Sequence, residues 1–183
     1  NFTTPEFNVN VCQMPFWALT IYLSWKILIK KELNIFFPIS LGLVAAIGFL
    51  SKYLFIYILL ALFIFFVLNY KKYKKSVNGY FFSIIISLVI LIPHFFWLFE
   101  NNFITIFYGL DRSGVSDFNY IDHFKNPTIF FFKQLVILIP FFLMIYVVIK
   151  KFKFSINLKN KKILFLLSIN LIPIILILIT SIL

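Results

Sequence analysis

The 183 residues are 62% apolar and 13% charged, with a mean hydropathy of +1.02. A soluble domain of this length cannot hide so much apolar side chain and still wet its surface. The 27 phenylalanines exclude a disordered chain, and Cys12 as the sole cysteine excludes a disulfide scaffold.

The net charge is +11, from 17 basic and 6 acidic residues. On a soluble protein such a balance would suggest nucleic acid. Here the lysines fall in short clusters between apolar runs, the pattern of membrane topology. No nucleic-acid partner is expected; membrane lipids are. The chain opens at Asn1 without a basic, signal-like leader and closes on Ile182 and Leu183 inside an apolar run. It is read as an internal piece of a longer chain.

A membrane helix needs about 20 apolar residues, with roughly 17 as a lower limit. In chain order the candidates are about Met14–Ile29, Ile35–Ser51, Tyr53–Asn69, Tyr80–Phe99, Thr128–Ile149 and Ile163–Leu183. Pro15 is expected at the start of the first. Lys26 lies in the last turn of that span and can snorkel, and Lys30, Lys31 and Glu32 close it. Only Ser51, Lys52 and Tyr53 separate the second span from the third, which predicts a tight hairpin. A polar stretch from Glu100 to about Pro127 follows the fourth. The fold class expected is therefore all-α: a polytopic helical bundle with about six membrane helices, all within one domain.

Alternating spans let the loops be counted by face. One face collects 13 of the 17 cations, at Lys26, Lys30–Lys31, Lys71–Lys75, Lys150–Lys153 and Lys159–Lys162, with Glu32 as its one acid. The other holds Lys52, Arg112, Lys125 and Lys133 with five of the six acids. The positive-inside rule makes the first face cytoplasmic. The N-terminal stretch, the Lys52 turn and the long loop then meet on the outer face, where any chemistry is expected.

Lys52 lies between two apolar segments, where an unpaired ammonium is costly. It either snorkels to lipid phosphates or holds a phosphate group, a task that suits a point charge with three donors. Gly42, Ala45, Ala46 and Gly48 precede it as small residues that permit close helix packing. Pro93 loosens the fourth span just before His94. His94 and Trp97 share a face at i,i+3. Glu100 and Asn101 stand at the membrane exit. His94 is either a satisfied core histidine or a site residue, and Trp97 is equally readable as an interface anchor. Glu100 or Asp111 could orient a sugar hydroxyl, and Arg112 could bind a phosphate or carboxylate. Asn8, Asn10 and Gln13 are amides before the first span, able to cap it or to bond a substrate. The chain has no HExxH, CxxC, Gly-rich phosphate loop or GxSxG.

Three segments, taken in order, resemble a known family. They are Asn8-Val9-Asn10-Val11-Cys12-Gln13-Met14-Pro15-Phe16-Trp17-Ala18-Leu19, then Leu41-Gly42-Leu43 through Gly48-Phe49-Leu50-Ser51-Lys52-Tyr53, then Pro93-His94-Phe95-Phe96-Trp97-Leu98-Phe99-Glu100-Asn101. The set is similar to the bacterial polyprenyl-phosphate-sugar glycosyltransferases of family 39, the PMT-2-like proteins. The resemblance implies a GT-C membrane bundle with its site at the outer interface of the bacterial cytoplasmic membrane. It implies a polyprenyl-phosphate-linked sugar as donor and a lipid, glycan or protein as acceptor. It places Lys52 on the lipid phosphate, with Arg112 second, and draws His94, Glu100, Asn101, Asn8 and Gln13 into the substrate site. The family's acidic general base falls upstream of Asn1, so the catalytic residue is expected outside this sequence. No cofactor is implied as certain, and a divalent metal is left open. Two other readings stand beside this one: a polytopic transporter or lipid flippase, and a non-catalytic membrane scaffold.

Overall fold

The computed structural model describes residues 9–29, 34–112, 122–151 and 160–182. Within them the chain is all-helical. The elements are α1 (Val9–Ile29), α2 (Phe36–Ser51), a 3-10 turn Tyr53–Phe55 leading into α3 (Ile56–Leu68), α4 (Tyr70–Tyr73), a second 3-10 turn Lys74–Ser76, α5 (Val77–Glu100), α6 (Ile104–Arg112), α7 (Asp122–Lys151) and α8 (Lys161–Ile182).

Among the described residues, three helical stretches are long and apolar enough to cross a membrane: Tyr70–Glu100, Lys125–Val148 and Lys161–Thr180. Phe36–Ser51 and Tyr53–Leu68 are shorter apolar helices. The protein is thus a polytopic helical membrane protein. The first expected span forms the helix α1, but Gln13, Thr20, Ser24 and Lys26 make it less apolar than those three.

Three boundaries differ from expectation. Helix α1 begins at Val9, so Pro15 lies inside it instead of leading it. Proline removes one backbone donor, and neighbouring helices can absorb that loss in a membrane bundle. Helix α7 begins at Asp122 and runs through Pro127, taking in the last residues of the expected 100–127 loop. The same loop also contains α6, a short helix.

The chain divides into two compact units, Asn1–Tyr108 and Gly109–Leu183. In the second, α7 packs against α8. In the first, α2 is central and packs on α1 and α5. Gly42 permits the α2–α5 contact: a Cβ there would stand 2.7 Å from Ile86 Cβ and 2.8 Å from the Ser83 carbonyl oxygen. The Ser87 hydroxyl donates to the Gly42 carbonyl at 2.9 Å across the same contact. Gly48 plays the matching part in the hairpin, receiving the fully buried ring of Phe55. The small-residue stripe is thus a packing surface, as its spacing suggests.

Helix α5 and the 3-10 turn before it are tied to α1 at the opposite end of the unit. The Ser76 hydroxyl donates to the Ile27 carbonyl at 3.1 Å, and the Tyr80 hydroxyl to the Ser24 carbonyl at 3.0 Å. Lys71, Lys72, Lys74 and Lys75 are exposed at that end. Lys26 is half-buried there, its Nζ 5.3 Å from the ring centre of Tyr22. These ties fix the direction of α1 and α5 and leave Gln13, Lys52 and His94 together at the other end.

Candidate functional site

The site is assembled around the turn that joins α2 to α3. Lys52 is extended, with φ −165° and ψ 129°, and breaks the helix between Ser51 and Tyr53. Its backbone N–H still donates to the Gly48 carbonyl at 3.3 Å. Its carbonyl accepts from Phe55 N–H at 2.9 Å and from the Gln13 side-chain amide at 3.3 Å. Gln13 is buried, so its amide has been brought out of water to this contact. A buried polar group persists when it is hydrogen-bonded. Trp17, one turn along α1, meets the Phe55 ring edge-on at 6.2 Å. Helix α1 therefore grips the turn through both a polar and an aromatic contact. The Lys52 side chain itself is half-buried.

The residue after Lys52 carries the rest of the geometry. The Tyr53 hydroxyl lies 2.9 Å from His94 Nε2 and 2.9 Å from Thr105 Oγ1. Its ring packs on Phe49 at 5.3 Å and on His94 at 5.8 Å. His94 in turn stacks nearly parallel to Trp97, 6.0 Å between centres and 14° between planes. The i,i+3 pairing of His94 and Trp97 is realised, and it turns the imidazole toward Tyr53.

Helix α5 ends beside this cluster in a Schellman motif. Phe103 N–H donates to the Leu98 carbonyl at 2.9 Å and Asn102 N–H to the Phe99 carbonyl at 3.4 Å. Asn102 and Phe103 adopt φ 49° and 55°. Asparagine tolerates that region; a phenylalanine there is strained. The reversal starts α6 and so presents Thr105 to Tyr53.

The expected site residues thus separate. Gln13, Lys52 and His94 are brought together. Asn101 is exposed and donates its side-chain amide to the Trp97 carbonyl at 2.8 Å, closing its own helix. Glu100 is exposed at the last residue of α5, where a negative charge opposes the helix dipole. Arg112 ends α6, and its side chain lies outside the described residues, as does the whole of Asn8. Tyr53 and Thr105 were not among the expected site residues. Among the described residues, no group of three or more His, Cys, Asp or Glu side chains could hold a metal ion.

A helical membrane bundle with a lysine turn, a buried amide and an imidazole–phenol pair gathered at one end is the class this fold and site define. Residues 1–97 match the profile of the dolichyl-phosphate-mannose-protein mannosyltransferase family. That is more than half of the chain, and the chain belongs to this family of membrane glycosyltransferases, which use sugars carried on polyprenyl or dolichyl phosphate. The matched stretch holds α1, α2, the Lys52 turn and α5 as far as Trp97; it stops short of Glu100. No curated protein and no solved structure matches the chain.

Proposed function

We propose that this chain forms part of a glycosyltransferase moving a sugar from a polyprenyl-phosphate donor to a lipid, glycan or protein acceptor. The reaction takes place at the outer face of a bacterial cytoplasmic membrane, within a GT-C-like bundle of about six spans in this part of the chain. The acceptor oxygen attacks the anomeric carbon, and the bond from that carbon to the phosphate oxygen breaks. The electron pair stays on the phosphate. A carboxylate of the complete enzyme takes the acceptor proton.

Lys52 is the cation that stabilises the departing phosphate. The observation carrying this reading is the turn itself: its backbone is held by Gln13 and Phe55, and the neighbouring Tyr53 by α5 and α6. A lipid anchor has no need of so constrained a setting, whereas a charge that acts in the transition state does. An apolar recess of about 430 Å³ lies between α2, α3 and α5, lined by Leu62, Phe66, Leu88 and Leu91 and reaching Phe49 and Phe95. Phe49 packs on Tyr53, so a lipid tail in the recess would bring its phosphate toward Lys52.

Charge grows on the leaving oxygen as the sugar transfers, so a fixed cation lowers the barrier more than it tightens substrate binding. Loss of such a contact costs about 100- to 1,000-fold in turnover. Lys52→Ala in the complete enzyme should fall by this order in transfer per folded molecule. Lys52→Arg should recover part of it, since charge is kept and geometry changed. Unchanged specific activity in Lys52→Ala would overturn the phosphate-binding role.

A further inference from the structure

The Tyr53 hydroxyl has two partners, from two different helices. His94 Nε2 belongs to α5 and Thr105 Oγ1 to α6, each 2.9 Å away. A phenol has one donor and can also accept, so this pair saturates it. One partner would satisfy the group in a half-buried setting. Two partners in different directions also fix where it points.

That direction matters because Tyr53 is bonded to Lys52. The Lys52 backbone is already held at its carbonyl by Gln13 and Phe55 and at its N–H by Gly48. The Tyr53 ring holds the next residue, packed between Phe49 and His94. His94 is itself oriented by its stack on Trp97. Thr105 enters only because Asn102 and Phe103 reverse the chain at positive φ. The corner between α5 and α6 and the turn carrying Lys52 are thus joined through one phenolic oxygen.

We propose that Tyr53 is a positioning residue for Lys52. Its hydroxyl, held by His94 and Thr105, fixes the turn so that the ammonium meets the departing phosphate without Tyr53 touching the substrate. This rests on the reading of Lys52 as the phosphate-binding cation. The phenol neither gains nor loses its proton in the step, and its work is done before the sugar moves.

The test is a double-substitution cycle in the complete enzyme, with kcat and KM measured per folded molecule from a polyprenyl-phosphate sugar. Tyr53→Phe keeps the ring and removes only the hydroxyl. Loss of the hydroxyl and both its hydrogen bonds predicts a fall in kcat of about tenfold with KM within about twofold. In a Lys52→Ala background the same change should cost no more than about twofold, because the group being positioned is gone. Thr105→Ser should keep the native rate, and Thr105→Val should fall in the same way as Tyr53→Phe. The threonine pair gives the same reading if Tyr53→Phe does not fold. A native kcat in Tyr53→Phe while Lys52→Ala loses turnover would overturn the positioning role alone. So would an equal loss in both backgrounds, or a lower folded yield with normal kcat. A silent Lys52→Ala would overturn this role together with the phosphate reading on which it stands.

Discussion

The side-chain amide of Gln13 donates to the backbone carbonyl of Lys52 at 3.3 Å, joining the first turns of α1 to the end of α2. The contact spans 39 residues of sequence and is one of the ties that hold the hairpin turn to the rest of the bundle. Because the Lys52 carbonyl also accepts from Phe55 N–H, its loss does not orphan the acceptor.

Gln13→Leu should therefore be mild. It removes one hydrogen bond of about 1 kcal/mol and leaves a side chain of similar size in the same place. Gln13→Glu should be worse, by roughly 1–3 kcal/mol, since a carboxylate has no donor and would face a carbonyl from a buried position. Unfolding of the purified protein in detergent, followed by a denaturant series, gives the order. Equal midpoints for the two variants would remove Gln13 from the turn.

Two glycines should respond with opposite sign. Gly42→Ala places a Cβ against Ile86 and the Ser83 carbonyl, both closer than 3 Å. A backbone oxygen cannot rotate away, so α2 and α5 must separate and the Ser87 bond to Gly42 must lengthen. Overpacking of this kind costs about 1–3 kcal/mol. Gly109, in α6, has nothing within 4 Å of a built Cβ. Gly109→Ala should raise stability by roughly 0.5–1 kcal/mol through the unfolded state and helix propensity. Thermal midpoints of the two variants, measured side by side, check the contrast.

Much of this was legible in the sequence, and the reason differs from feature to feature. The lysine turn could be read because only three residues separate two apolar runs. The small residues of α2 could be read because their spacing has one ordinary use in a membrane. The partnership of Tyr53 with His94 and Thr105 could not. It joins positions 41 and 52 residues apart, and periodicity does not say which helix faces meet. The signal that was present was a polar-tipped aromatic directly after the key lysine. Helix α6 was hidden because its apolar residues Ile104, Ile106, Phe107 and Leu110 sit in a stretch dominated by polar neighbours, and nine residues are fewer than three turns. The start of α1 is not legible because Pro15, a residue favoured in first turns, here lies inside the helix.

The reversal after α5 makes a third prediction. Phe103 has φ 55°, where a side chain with a Cβ costs about 1–2 kcal/mol. Its ring is held edge-on by Phe99 at 5.0 Å, a contact worth about 0.5–1.5 kcal/mol. Phe103→Gly loses the contact and relieves the strain, so its stability should stay near the native value. Phe103→Ala loses the contact and keeps the strain. The alanine variant should be the less stable of the two by roughly 1–2 kcal/mol. The opposite order would show that the positive φ at Phe103 does not set the energetics of this corner.

The last prediction concerns which end faces which side. Gln13, Lys52, His94 and Glu100 lie toward one end of the first unit, while Ser76 and Tyr80 hold α5 to Ile27 and Ser24 at the other. Four exposed lysines between Lys71 and Lys75 crowd that second end. Translocating such a cluster across the bilayer is disfavoured, so it should remain cytoplasmic. Single cysteines can report this in a Cys12→Ser background with any cysteine elsewhere in the complete enzyme also replaced. Lys72→Cys should react with a membrane-impermeant maleimide only after the cells are opened. Glu100→Cys, exposed at the far end of α5, should react in intact cells once the outer envelope is permeabilised. Both substitutions sit on exposed positions, so a native folded yield in each certifies that the labelled protein is folded. Labelling of Lys72→Cys in intact cells with Glu100→Cys protected would put Lys52 on the cytoplasmic side. An outer-face transferase could not then use it, and the outer-face assignment would fall while the contacts within the bundle stood.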